Sequence, residues 1–174
     1  IAGKAILMSV GLYISEETTP IFADMVALQT TQALRATTGI EDLKIKYPND
    51  LVVDNRKVGG ILIRNVYDGD QYLGTNIGIG INVHYQPDEL DGYATEYPAI
   101  SLGLYTEEFL RRENLVLAIL QGLRFIPTDA SVFMTNAHEQ GVQNKRWQRL
   151  SSILGQEVQI VSGNSIVARG KVTD

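Results

Sequence analysis

Apolar and polar positions along the chain change period several times, and each change marks an element. Ala5–Ile14 (AILMSVGLYI) is an apolar run rich in β-formers, broken by Gly11, and reads as a buried strand. Thr19 then offers a capping hydroxyl and Pro20 a pre-set first helical turn. Ile21, Met25 and Leu28 recur at i, i+4 and i+7 with Phe22 and Val26 beside them, so the helix that follows presents one face to a core. The stripe weakens at Gln32, and Gly39 is placed to end the helix. Packing alone accounts for this helix.

Leu43, Ile45 and Tyr47 alternate with Lys44 and Lys46, the period of a half-buried strand, which Pro48 must stop because it has no amide hydrogen. Leu51–Val53 resumes extended structure, and Asp54-Asn55 suits a tight turn. Val58–Val66 and Tyr72–Val83 are two further strands, joined by a turn around Asp68-Gly69. Lys44–Val83 is therefore an antiparallel meander with no helix to support parallel crossovers.

Thr106, followed by Glu107 and Glu108, predicts the N-terminus of a second helix with Phe109, Val116, Ile119, Leu120 and Leu123 as its apolar stripe. Thr128–Leu150 carries a weaker helical pattern around Trp147. The composition then shifts: Gln156–Val172 alternates around Gly163-Asn164, a hairpin signature. A lone hairpin is marginal in water, so this segment reads as the first strands of a small β-module.

Composition narrows the function classes. A chain of 174 residues can bury one self-sufficient core. The net charge of −5 argues against a duplex-binding surface, which needs a basic footprint, so no nucleic-acid partner is expected. There is no cysteine, which excludes disulfides and thiolate chemistry and fits a reducing, cytoplasmic setting. The two histidines, His84 and His138, lie far apart in sequence and do not suggest a histidine metal site. No apolar run reaches the roughly 18 residues needed to span a bilayer.

The chemistry gathers between Lys46 and Asn82. Asn49 and Asp50 form a hard-oxygen pair just past a forced strand break, suited to a Mg²⁺ that keeps waters or phosphates. Lys57 opens the next strand and can fold back to the same place, a point charge with three donors for carboxylate or phosphate oxygens. Gly59 and Gly60 strip that strand of side chains, and Gly78 and Gly80 do the same on its neighbour, leaving a slot where a flat ligand can lie on backbone. Asn82, at the end of the second strand, can donate and accept. Taken singly, each has an ordinary role: a turn former, a solvated lysine, a bulge glycine. The joint arrangement points to a phosphate-bearing anionic reactant held against bare backbone.

KYPND (Lys46–Asp50), RKVGGIL (Arg56–Leu62) and GIGIN (Gly78–Asn82) resemble the biotin protein ligases, or biotin–acetyl-CoA-carboxylase ligases, whose catalytic domain shows KWPND, an RK-hydrophobic-x-GIL strand and a G-x-GIN strand. Tyr47 stands where that family has tryptophan. The similarity extends to AILMSVGLYI before the first helix and to RWQRLSSILGQEVQIV at the start of a C-terminal module. It implies an α+β fold: a mixed, largely antiparallel sheet flanked by helices, of the class II synthetase-like biotin/lipoate ligase type, over residues 1–150. Residues 151–174 would begin a small SH3-like β-module.

The implied reaction joins biotin to ATP as biotinoyl-adenylate and passes it to a lysine on the biotin carrier domain of a carboxylase. Carried over, Lys57 contacts the biotin carboxylate and the phosphate being displaced. Asn49 and Asp50 lie by Mg²⁺ and the triphosphate, and Lys46 supports the phosphates. Gly60, Gly78 and Gly80, with Gly59 beside them, line the biotin slot, and Asn82 sits near the adenylate. The family's glycine- and arginine-rich adenylate loop and its Ser/Thr-rich biotin segment would precede Ile1, so the resemblance implies a piece cut at both ends that adenylates negligibly by itself. A lipoate or octanoyl transferase of the same superfamily and a non-catalytic module are the rival readings. A homodimer through the sheet is compatible with the chain, and no membrane partner is expected.

Overall fold

The computed structural model describes residues 3–14, 17–18, 20–90, 97–126, 137–163 and 165–173. In chain order they form β1 (Ala5–Leu12), α1 (Pro20–Thr38), β2 (Lys44–Lys46), β3 (Asp50–Val53), β4 (Arg56–Asp68) and β5 (Gln71–Asn82). There follow a short helix α2 (Pro87–Leu90), a 3-10 turn (Leu102–Leu104), α3 (Arg112–Leu123), α4 (Ala137–Leu150), and the strands β6 (Glu157–Ser162) and β7 (Ser165–Lys171). Thr19, Asn164 and the first part of the Thr128–Leu150 segment lie outside the described residues.

The meander forms as its alternation predicts. Asp54 and Asn55 both take positive φ, 50° and 57°, the two-residue turn that matches the twist of the strands it joins. Gly69 supplies the same conformation to the β4–β5 turn at φ 56°. The five-stranded sheet runs β1-β5-β4-β3-β2, and every strand pair in it is antiparallel. Among the described residues, parallel pairing is confined to two isolated bridges, Ile45–Ser151 and Lys57–Ala99.

The alternation sends one row of side chains from each strand into a shared core. Ile6, Ile61, Ile77, Ile79, Ile81, Phe22, Val26, Leu34, Leu115 and Ile119 belong to a single buried cluster. The helices close that face: α1 packs on α3, α4, β2 and β4, and α3 reaches β1. α1 ends as predicted, with Gly39 at φ 70° and its amide donating to the Arg35 carbonyl at 2.9 Å. Burying Phe22, Met25, Val26, Leu28 and Leu34 stabilises the fold by about 1.5–3 kcal/mol per side chain.

Three details depart from the sequence pattern. β1 is not a buried strand: among the described residues it is the sheet edge, with Ile6 buried but Leu7 86% exposed. Ile21, read as part of the α1 stripe, is 39% exposed. The second helix begins at Arg112 rather than after Thr106, because the Thr106 hydroxyl accepts the Glu108 amide at 3.1 Å in a local turn. Phe109 accordingly leaves the core stripe, standing 80% exposed and stacked on His84 with ring centroids 4.9 Å apart. Among the described residues no helix is long and apolar enough to cross a membrane.

Candidate active site

Side chains on a strand alternate faces, so the rows opposite the helix-covered core rows form the second face of the sheet. Paired positions share that face. Across β3, β4, β5 and β1, one rung reads Asp50, Gly60, Gly80, Leu7. The next rung reads Leu62, Gly78, Ser9. Glycine therefore occupies the middle of both rungs. The result is an open trough of about 630 Å³, floored by Gly60, Gly78 and Gly80 and walled by Leu7, Ser9, Asn49, Asp50, Lys57 and Leu62, with the core-facing Met8, Ile61 and Ile79 bordering it between those rungs.

The polar end is set by local chain geometry. The Tyr47–Pro48 peptide is cis, and the chain re-enters the sheet at Asp50. Asn49 locks that re-entry from both directions: its carbonyl accepts the Ile61 amide at 2.9 Å, and its Nδ2 donates to the Ile61 carbonyl at 3.0 Å. The register between β3 and β4 shifts between Leu51 and Val52, which sets Lys57 opposite Val52 while Asp50 remains opposite Gly60. Lys57 Nζ then donates to Asp50 Oδ1 at 2.5 Å, with both side chains partly buried. One of its three donors faces Asp50, and two remain for an anion entering the trough.

The glycines divide by face. A β-carbon built on Gly80 would lie 3.6 Å from Leu7 Cδ2, and one on Gly78 would lie 3.5 Å from the Leu62 carbonyl, both ordinary contacts. At Gly60 it would stand 3.4 Å from Asp50 Oδ1 and 3.7 Å from Lys57 Cε, so any larger group there fills the space before the ammonium. Gly59 differs. It pairs with Ile81 on the core face, and a β-carbon there would overlap the Gly80 carbonyl and sit 2.8 Å from Ile81 Cδ1. Its glycine serves close strand packing, not the trough.

Six of the nine residues singled out from the sequence thus meet at one place: Asn49, Asp50, Lys57, Gly60, Gly78 and Gly80. Lys46 and Asn82 are not among the lining residues. Lys46 shares the Asp50 face through the β2–β3 register, and its ammonium sits 3.4 Å from the centroid of the Tyr97 ring, a cation–π contact. Asn82 Nδ2 donates to the Ile100 carbonyl at 3.2 Å. Leu7 and Ser9 were missed because only the pairing of β1 with β5 brings them alongside the glycines, and Leu62 because its place beside Gly78 follows from the β4–β5 register.

Chemically the trough offers a cation at one end, a side-chain-free floor and two exposed leucines at its margins. It can hold a carboxylate or phosphate at Lys57 while an apolar body lies on backbone. Among the described residues no three His, Cys, Asp or Glu side chains gather as a metal cage. Asp50 and Asn49 do supply two neighbouring hard oxygens. With Asn49 Nδ2 spent on Ile61, its Oδ1 is left as that amide's acceptor. Such a pair fits a Mg²⁺ carried mainly by phosphates and water.

Comparison with known proteins agrees with this geometry. Residues 5–82, which span the trough, match the model of the Biotin/lipoate A/B protein ligase family. The chain is 35% identical over 124 residues to the bifunctional ligase/repressor BirA of Bacillus spizizenii, covering 68% of this chain and 36% of that protein. It is 35% identical over 69 residues to biotin–protein ligase 2 of Arabidopsis thaliana, covering 37% of this chain and 21% of that protein. The chain thus spans about a third or less of these relatives. The fold is that of the biotin protein ligase of Aquifex aeolicus solved with biotin and ATP, at TM-score 0.73 and 22% identity over 97% of this chain and 66% of that one. The Leishmania major ligase solved with biotin gives TM-score 0.64 at 20% identity, over 92% of this chain and 67% of that one. Residues 5–82 thus match the biotin/lipoate A/B protein ligase family, and the chain carries the biotin protein ligase catalytic fold.

Proposed function

We propose that the chain is the catalytic portion of an enzyme that ligates biotin to a lysine of a biotin carrier domain at the expense of ATP. The observation that carries this reading is the Lys57–Asp50–Asn49 end opening directly onto the floor of Gly60, Gly78 and Gly80. The family model spans biotin and lipoate enzymes alike, and the Arabidopsis relative and the two solved structures are named as biotin protein ligases, which favours biotin over a lipoyl or octanoyl acid.

In the first step a biotin carboxylate oxygen attacks the α-phosphorus of ATP. The bond to the bridging oxygen breaks, pyrophosphate leaves, and a mixed anhydride remains. In the second, the amine of the carrier lysine attacks the acyl carbon, an amide forms, AMP leaves and the amine's proton is lost. Lys57 has two roles in this scheme. It neutralises the carboxylate so that it can approach the phosphate, and it stabilises the charge that builds on the non-bridging oxygens. Asp50 holds the ammonium in place, and Asn49 fixes the strand crossing from which Asp50 projects. A Mg²⁺, bound on Asp50 and Asn49, would supply charge neutralisation for the leaving pyrophosphate. Lys46 would add a further cation where β2 ends, and Asn82 lies where the adenylate would continue from the trough. A carboxylase as the source of the carrier domain, cytoplasmic residence and a homodimer complete the proposal, as does a β-module beginning after residue 150.

The test is pyrophosphate release with biotin and ATP by the full-length protein carrying Lys57→Ala. Loss of one electrostatic stabiliser should slow adenylate formation by about 10²-fold or more. Release at a near-normal rate overturns the assignment. Calorimetry with biotin and lipoate in parallel decides between the two acids.

A further inference from the structure

β5 ends at Asn82, whereas β4 begins at Arg56, and the register sets Gly59 opposite Ile81. Lys57 therefore lies past the end of β5, where an edge of its backbone would be left without a strand partner. A strap from further along the chain fills that place. The Lys57 amide donates to the Pro98 carbonyl at 2.9 Å, and the Ile100 amide donates to the Lys57 carbonyl at 2.8 Å. Pro98–Ile100 thus takes over from β5 through a single parallel bridge between Ala99 and Lys57.

The strap is pinned on its far side. Ile100, Ser101 and Leu102 are buried, and Ser101 Oγ accepts the Tyr85 amide at 3.0 Å. On the sheet side the tie is Asn82, whose Nδ2 donates to the Ile100 carbonyl. Ile100 is thereby engaged at both peptide groups: its N–H holds Lys57 and its C=O is held by Asn82. A shift of the strap would move the Lys57 backbone, and with it the point from which the ammonium reaches Asp50.

We propose that Asn82 is a positioning residue for Lys57, acting through the Ile100 carbonyl and the strap. The inference rests on the reading of Lys57 as the group that meets the anionic ligand. It differs from a role for Asn82 as a ligand contact, because it operates with the trough empty.

The experiment therefore needs no ligand. Amide hydrogen exchange and competitive acetylation are measured on the 174-residue chain and on Asn82→Ala, Asn82→Asp and Asn82→Gln. Loss of the amide donor in the Ala and Asp variants should speed exchange at the Lys57 and Ile100 amides by about five- to tenfold, the scale of one net hydrogen bond. Amides within α1 should not change. Acetylation of Lys57 should rise relative to Lys171, and Asn82→Gln, which keeps a donor, should recover part of both effects. If Asn82→Ala does not fold, the comparison of Asp with Gln decides alone. Unchanged exchange at Lys57 and Ile100, or acceleration spread equally through α1, overturns the proposal. Failure of the chain's protein to bind biotin would overturn the function proposed above and leave these readouts standing.

Discussion

Adjacent glycines at 59 and 60 face opposite sides of the sheet, and substitution separates them. Gly60→Val adds bulk in front of Lys57 and should weaken biotin binding far more than it lowers the melting temperature, as paired calorimetry and thermal unfolding would show. Gly59→Ala forces a β-carbon into the Gly80 backbone and should cost about 1–3 kcal/mol of stability, seen as a lower denaturation midpoint. The glycine run was legible in the sequence as a bare stretch of strand, but its division was not. Which neighbour faces the trough depends on parity and on a register shift at Leu51/Val52 that no local pattern announces. Asp54-Asn55 was fully legible, because its turn is decided within four residues. Asp24, half-way along the first turns of α1, shows a charge the pattern did not flag: burial raises its pKa from the ordinary 3.8. The folded state then binds its proton more tightly than the unfolded chain, so stability falls as pH rises from the ordinary value through the raised one. Asp24→Asn should raise the melting temperature at pH 7 and leave it unchanged at pH 3.

Elements whose pairing is local were read more accurately than elements placed by distant partners. The meander from Lys44 to Val83 and the end of α1 at Gly39 follow from alternation and turn chemistry. β1 was misjudged because an apolar run has no sign of whether it lies at the centre of a sheet or at its edge. The start of α3 was misplaced because Thr106 followed by two glutamates has the composition of a cap, while its hydroxyl closes a turn and Phe109 is drawn to His84. The strap at Pro98–Ile100 carries no periodic signal at all, since it joins the sheet by one bridge. At the contact between α1 and α3, Gly122 lets the helices approach: a β-carbon there would stand 3.2 Å from the Gln29 carbonyl. Gly122→Leu should push the pair apart and destabilise the protein by about 1–3 kcal/mol in denaturant unfolding, with the Lys57–Asp50 end of the trough untouched.

Across the whole molecule, the buried core and the trough lie on different faces of one sheet. The helix-covered face holds the buried cluster, and the opposite face holds the trough. β6 and β7 pair with each other in a separate two-stranded sheet, and Ile160, Val161, Ile166 and Val167 are all exposed. Backbone amides of Val158–Val161 and Ser165–Val167 should be the first to exchange, because a two-stranded sheet without a packed face opens easily. Strong protection there would show that the hairpin is stabilised by a partner surface. The glycine floor has a further consequence, for escape from inhibitors. A compound resting on Gly60, Gly78 and Gly80 contacts main chain, and no single substitution can take a side chain away from it. Resistance at the floor can arise only by adding atoms, and at Gly60 the added atoms would stand beside Lys57 and Asp50, where the proposed function seats the substrate. Selection against such a compound would therefore be pushed to the margins, to Leu7, Ser9 and Leu62, where the walls can shrink or swell without closing the floor.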